Sequence, residues 1–139
     1  MHSCISDVAD FRTACRLPIA REPDLRPTAV QLDLMVNLLH EEHNETRHAI
    51  GRLWDARKHG EGEQAQALAE VADGLADLIY VAVGAALELG IPLAAVWAEV
   101  HRSNMAKVRP PIRVREDGKI LKPEGWTPPD VLGAVFGKR

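Results

Sequence analysis

The run LADLIYVAVGAALELG, residues 75–90, sets the strongest limit on what this chain can become. It is rich in helix-forming alanine and leucine, and it is apolar on nearly every side of a helical wheel. A helix of that kind must be covered on most faces, so it requires helical partners. Yet Asp77 sits near its start, and Asp73 and Glu70 stand one and two turns earlier. The three fall within about 60° of one another on the wheel. An acidic stripe therefore points into structure, where an unpaired carboxylate is costly.

The preceding helical stretch has the same peculiarity. In LLHEEHNETRHAI, residues 38–50, Glu45 lies about 40° from Glu41 and Glu42 about 100° from it. Leu34, Met35, Leu38, Leu39, Ile50 and Leu53 occupy the arc between about 20° and 180°. Acidic and apolar arcs thus overlap, with Glu42 near the middle of the packing face. Two such helices joined by a short loop pack antiparallel, which sets one acidic stripe against the other. On an ordinary surface helix these would be solvated charges. Here no Lys or Arg is expected on either stripe at the same level. Facing carboxylates without basic partners raise one another's pKa, and hard cations with oxygen ligands relieve this. Mg²⁺ is the expected ion, with Mn²⁺ as an alternative, and it suits a phosphate-bearing substrate.

Around these helices the sequence predicts an all-α chain forming one domain over residues 1–139. Residues 1–27 hold a short helix, DVADFRTACRL, stopped by Pro18 and followed by a polar connection. A long helix starts at Thr28, which has capping-box spacing to Gln31, and runs to about His59. HGEGEQ forms a loop. The second long helix covers about 64–89 and ends at Gly90. A third runs from Pro92 to about Val108. RVREDGKIL forms a small hairpin around Asp117-Gly118, and Thr127 caps a last helix, PPDVLGAVF.

Several function classes are disfavoured. A net charge of −3 and a pI near 6.1 argue against a general nucleic-acid grip. No apolar run is long enough to span a membrane, and the N-terminus lacks a signal-peptide layout. Cys4 and Cys15 lie in a weakly structured stretch with no CxxC spacing, which favours a reducing cytoplasm over a disulfide or zinc role. HEEH is not a zinc-protease motif, because HExxH would need histidine where Asn44 stands.

EEHNE followed by EVADGLADLIY resembles the all-α nucleoside triphosphate pyrophosphohydrolases, comprising MazG-like proteins, dimeric dUTPases and phosphoribosyl-ATP pyrophosphohydrolases. EVHRSNMAK, residues 99–107, and LKPEGWTPPDV, residues 121–131, are similar to the MazG-like branch. The resemblance implies a MazG-like antiparallel bundle with a short C-terminal hairpin and terminal helix. It implies hydrolysis between the α- and β-phosphates, giving a nucleoside monophosphate and pyrophosphate with the help of two or three Mg²⁺ ions. Glu42 and Glu45 match metal-ligand positions, and Glu41 matches a position that binds metal or activates water. Asp77 matches the aspartate of the second motif, ExxD, but Gly74 stands where that motif has glutamate. Asp73 shares the face of Asp77 and is the expected replacement, with Glu70 as a further ligand candidate. Asn104, Lys107 and Lys122 are expected to contact substrate phosphates or sugar. Phe11 and the RLP after it are similar to a segment that closes over the nucleotide, and Trp126 is a candidate for base stacking. His101 is expected to be a core or supporting residue.

Thus the substrate is expected to be a nucleoside triphosphate, dUTP first to test. Phosphoribosyl-ATP is the alternative within the class, and a catalytically silent helical scaffold is the alternative outside it. The thin core and the all-round apolar second helix predict a homodimer or higher homo-oligomer.

Overall fold

The computed structural model describes residues 2–108 and 110–137. Two compact units divide between Gly90 and Ile91. The first holds α1 (His2–Ala14), α2 (Ala29–Ala56) and α3 (Glu61–Glu88). The second holds α4 (Leu93–Met105), a 3₁₀ turn (Ala106–Val108), a minimal hairpin and α5 (Val131–Phe136). The architecture is all-α, with α2 and α3 packed antiparallel.

α1 is longer than the sequence predicts and is stopped before Pro18. Arg16 adopts a left-handed φ of 55°, and the Leu17 amide donates to Arg12 O, closing the helix end. The cysteines are therefore not in a weakly structured stretch: Cys4 lies within α1 and Cys15 just after it, both as exposed free thiols.

α2 begins where Thr28 and Gln31 place it. The Thr28 side chain accepts from the Gln31 amide, and the Gln31 side chain accepts from the Thr28 amide. The helix ends three residues earlier than expected, and α3 starts three residues earlier. The connection shrinks to residues 57–60. Glu61 and Glu63 fall in the first turn of α3, where negative charge complements the helix dipole, so GEGE is helix start rather than loop. Gly90, at φ 65°, ends the turn beyond α3. A Cβ there would lie 2.0 Å from Glu22 O, so the connection from α1 to α2 can press against this end. Amides of Ala20 and Asp24 donate to Leu87 O and Leu89 O, satisfying carbonyls that the helix itself leaves open.

Most buried apolar residues of the first unit are small. Val8, Met35, Ala49, Ala56, Ala67, Val71, Val83 and Ala86 make the core, with Gly74 and Gly84 buried among them. Such residues let α2 and α3 approach closely. One ion pair is built into the packing: Arg12 donates to Glu88 at 2.6 Å, with side-chain exposures of 10% and 11%. Arg12 also donates twice to Pro18 O, and Gln31 donates to Glu88. That network ties α1, the connection, α2 and α3 together.

In the second unit, the hairpin is reduced to one bridge, Val114 with Ile120, around the Asp117-Gly118 turn. The last helix is capped by Asp130, not Thr127. The Asp130 side chain accepts from the Gly133 amide at 2.9 Å. Pro128 and Pro129 have no amide hydrogen to offer Thr127, and the next amide, that of Asp130, donates to Glu99 Oε1 at 2.8 Å, so the helix starts later.

Candidate active site

α2 supplies Glu41, Glu42 and Glu45, and α3 supplies Asp73 and Asp77. What sets them level is the contact between Thr46 and Gly74. A Cβ at position 74 would lie 2.9 Å from Thr46 Oγ1 and 3.1 Å from Thr46 Cα. Glycine is therefore required for the present spacing. The Thr46 hydroxyl turns back to donate to Glu42 O at 2.8 Å, leaving no polar group unpaired at the contact. From this contact Glu42 is one turn toward the start of α2, and Asp77 about one turn toward the end of α3. In antiparallel helices these two positions meet.

The electrostatics follow that geometry. Glu42 is half-buried, while Glu41, Glu45, Asp73 and Asp77 are exposed. Burial first, then the charges of Asp77, Glu45, Glu41 and Asp73, push the Glu42 carboxyl above the usual glutamate value. Five carboxylates thus share one neighbourhood, and Glu42 is its inner member. As the side chains stand, no three His, Cys, Asp or Glu among the described residues form a ready metal cage. Mutual repulsion favours splayed carboxylates. An all-oxygen, anionic donor set whose inner member resists ionisation suits a hard divalent cation once the side chains turn inward.

Glu70 stands apart. Arg52 donates to it at 2.5 Å, so a basic partner does occupy this level, contrary to the sequence expectation. Glu70 is not among the charges that act on Glu42. Arg52 follows Glu45 by two turns, and antiparallel pairing puts it opposite a residue one turn before Gly74. Only knowing which residues cross could have revealed it.

The second unit gathers the expected substrate-binding residues. Lys107 Nζ donates to Asn104 Oδ1 at 2.7 Å. Lys107 Nζ lies 5.4 Å and Lys122 Nζ 4.1 Å from the centre of the Trp126 ring. The Trp126 indole N–H donates to Ser103 O at 2.9 Å, and the Ser103 hydroxyl donates to Thr127 O. Trp126 is thus a fixed platform for two ammonium groups rather than an exposed ring. His101 is exposed, not a core residue. In the first unit, Phe11 packs edge-on against Tyr80 at 5.6 Å. With Leu17, Leu34 and Leu38 they line an apolar cavity of about 220 Å³.

No curated protein matches the chain. The family model for phosphoribosyl-ATP pyrophosphohydrolase matches residues 8–104, from within α1 to Asn104. That span contains both carboxylate-bearing helices and covers most of the chain, so this protein belongs to the phosphoribosyl-ATP pyrophosphohydrolase family of the MazG-like all-helical superfamily.

Proposed function

We propose that the chain is a Mg²⁺- or Mn²⁺-dependent nucleoside triphosphate pyrophosphohydrolase, cleaving between the α- and β-phosphates to release a nucleoside monophosphate and pyrophosphate. The observation that carries this reading is Glu42, half-buried and surrounded by Asp77, Glu45, Glu41 and Asp73. Glu42, Glu45, Asp73 and Asp77 would hold the cation. When bound, it would screen the phosphates and favour loss of a proton from the attacking water. Glu41, exposed beside this group, orients that water and takes its proton. Asp73 does the work of the glutamate absent at Gly74, and Glu70 supports the site from its pair with Arg52. In the second unit, Asn104, Lys107 and Lys122 offer donors and positive charge to phosphate oxygens.

A deoxynucleotide, dUTP first, is the proposed substrate. Phosphoribosyl-ATP is a second reading with an observation of its own, the family match. Both substrates present the same anhydride to the same carboxylates. A silent scaffold, the reading that Gly74 invites, would have no use for a carboxylate held half-buried among four others.

The proposed partner is a second copy of the chain, in a reducing cytoplasm where Cys4 and Cys15 stay free. Leu68, Leu75 and Ile79 form an exposed stripe along α3, and Ile50 and Trp54 another on α2. Contiguous apolar area of this kind is rare on monomers. Among the described residues, no single helix is long and apolar enough to cross a membrane.

Chelation tests the reading. Activity is expected to vanish in EDTA and return with Mg²⁺. The melting temperature should rise with Mg²⁺, by about 2.7 kcal/mol of stabilisation at hundredfold excess over Kd. Full activity in excess EDTA would overturn it.

A further inference from the structure

The hairpin in the second unit is unusually basic for an acidic chain. Residues 107–122 hold six Lys or Arg against two carboxylates, while the whole chain has a net charge of −3. The backbone turns this composition into a surface. The Arg115 amide donates to Lys119 O and the Leu121 amide to Arg113 O, flanking the bridge between Val114 and Ile120. Strand alternation then places Arg113, Arg115 and Lys119 on one face. Arg115 and Lys119 are directly opposite each other, a like-charge pairing that weakens a hairpin.

Only part of that charge is neutralised. Asp117 accepts from Arg115 through both carboxylate oxygens and from the Lys119 amide, so its carboxylate is engaged by the turn itself. Arg113 and the Lys119 ammonium have no ionic partner among the described residues. These groups line a concave site of about 450 Å³ together with Lys107 and Lys122. The two lysines are both held within 5.4 Å of the Trp126 ring centre, a second crowding of like charges. The ring's negative face steadies them, and Trp126 is fixed by its bond to Ser103 O. Two separate devices thus keep cations together around one concavity, each at a cost that a multiply charged anion would offset.

We propose that Arg113, Lys119, Lys107 and Lys122 form a binding site for a condensed phosphate, pyrophosphate being the probe, and that it needs no metal ion. The choice of anion rests on the pyrophosphohydrolase reading, whose reaction releases this group. Arg113 supplies a planar fork for two oxygens, and the three lysines supply point charges. The site's small size and curvature favour a compact polyanion over a duplex.

The test is calorimetric titration of the full chain with pyrophosphate in EDTA at low salt. Parent binding is expected, weakening as salt rises. Arg113→Gln and Lys119→Gln should each weaken it about tenfold and together abolish it, with melting temperatures not lowered because both positions are exposed and a like-charge pairing is relieved. Arg47→Gln, an exposed arginine on α2, should bind as the parent does. Unaltered binding in the hairpin variants, or no binding by the parent, overturns the site. So does a DNA or RNA oligonucleotide that binds the same residues more tightly than pyrophosphate, which would make this a nucleic-acid surface. The two readings fail separately. Pyrophosphate binding without hydrolysis of any triphosphate sinks the enzyme reading alone, and hydrolysis without metal-free binding sinks this site alone.

Discussion

Replacing Gly74 with alanine sets two effects of known size against each other. In a helix interior, glycine to alanine gains up to about 1 kcal/mol from propensity. Position 74 offers no room for the gain. The new Cβ would stand 2.9 Å from Thr46 Oγ1 and 3.1 Å from Thr46 Cα. The hydroxyl is bound to Glu42 O, and the Cα can retreat only if α2 moves. Overpacking of this kind costs about 1–3 kcal/mol. The net is a loss of about 1 kcal/mol, or roughly 3 °C in Tm for a chain of this size. Gly51, in the interior of α2, is the control, because nothing lies within 4 Å of its missing Cβ. Gly51→Ala should raise Tm by up to about 3 °C. In a Thr46→Ala background the cost of Gly74→Ala should shrink by about 0.5 kcal/mol or more, since the nearest atom is gone. Melts by circular dichroism in EDTA, at fixed protein concentration, read the parent and the four variants. If Gly74→Ala stabilises as much as Gly51→Ala, the close crossing that sets Glu42 level with Asp77 is wrong.

Three other experiments probe the same unit. Arg12→Met strands Glu88 in a nearly buried position and should cost about 3 kcal/mol, the low end for a broken buried pair because Gln31 still donates. Arg12→Met with Glu88→Met should recover most of that loss in urea melts; failure to recover would mean the side chains matter for shape rather than charge. Glu42→Gln acts through pH. The folded chain holds the Glu42 proton more tightly than the unfolded chain does, so stability falls as pH rises through the raised pKa. Without metal the Gln variant should be the more stable at neutral pH, and the advantage should disappear below about pH 4; an advantage that persists in acid would refute the electrostatic cause. For turnover, Asp73→Asn and Asp77→Asn should each be severely impaired and Glu70→Gln much less so. The reverse order, with Glu70→Gln inactive and Asp73→Asn active, would shift the ligand register by a turn.

What the sequence made legible was local or periodic. The Thr28 capping box depends on four residues and formed as read. The acidic overlap on α2 and α3 depends on a fixed helical angle, and it brought Glu42 and Asp77 together. Most of the misses share one cause, the need to know what lies across a gap. Arg52 opposite Glu70 and Thr46 against Gly74 follow from the distance and register between two helices. The sequence reading of Gly74 saw a missing ligand, whereas the structure gives it a packing role as well. Thr127 has the residue type of a cap, but two prolines follow it and the next amide, that of Asp130, is taken by Glu99 of α4. Lys107 and Lys122 were separate candidates until Trp126 placed both ammonium groups over one ring.

The proposed role of the carboxylates around Glu42 is hydrolysis of an α,β-phosphoric anhydride. Phosphorus NMR of the products tests it most directly. The chain should be incubated with Mg²⁺ and, in turn, dUTP, the other ribo- and deoxynucleoside triphosphates, and phosphoribosyl-ATP. Equal amounts of pyrophosphate and the matching monophosphate are expected from at least one of them, with neither product from Asp77→Asn. Orthophosphate as the first product, or undiminished turnover in Asp77→Asn, would contradict it.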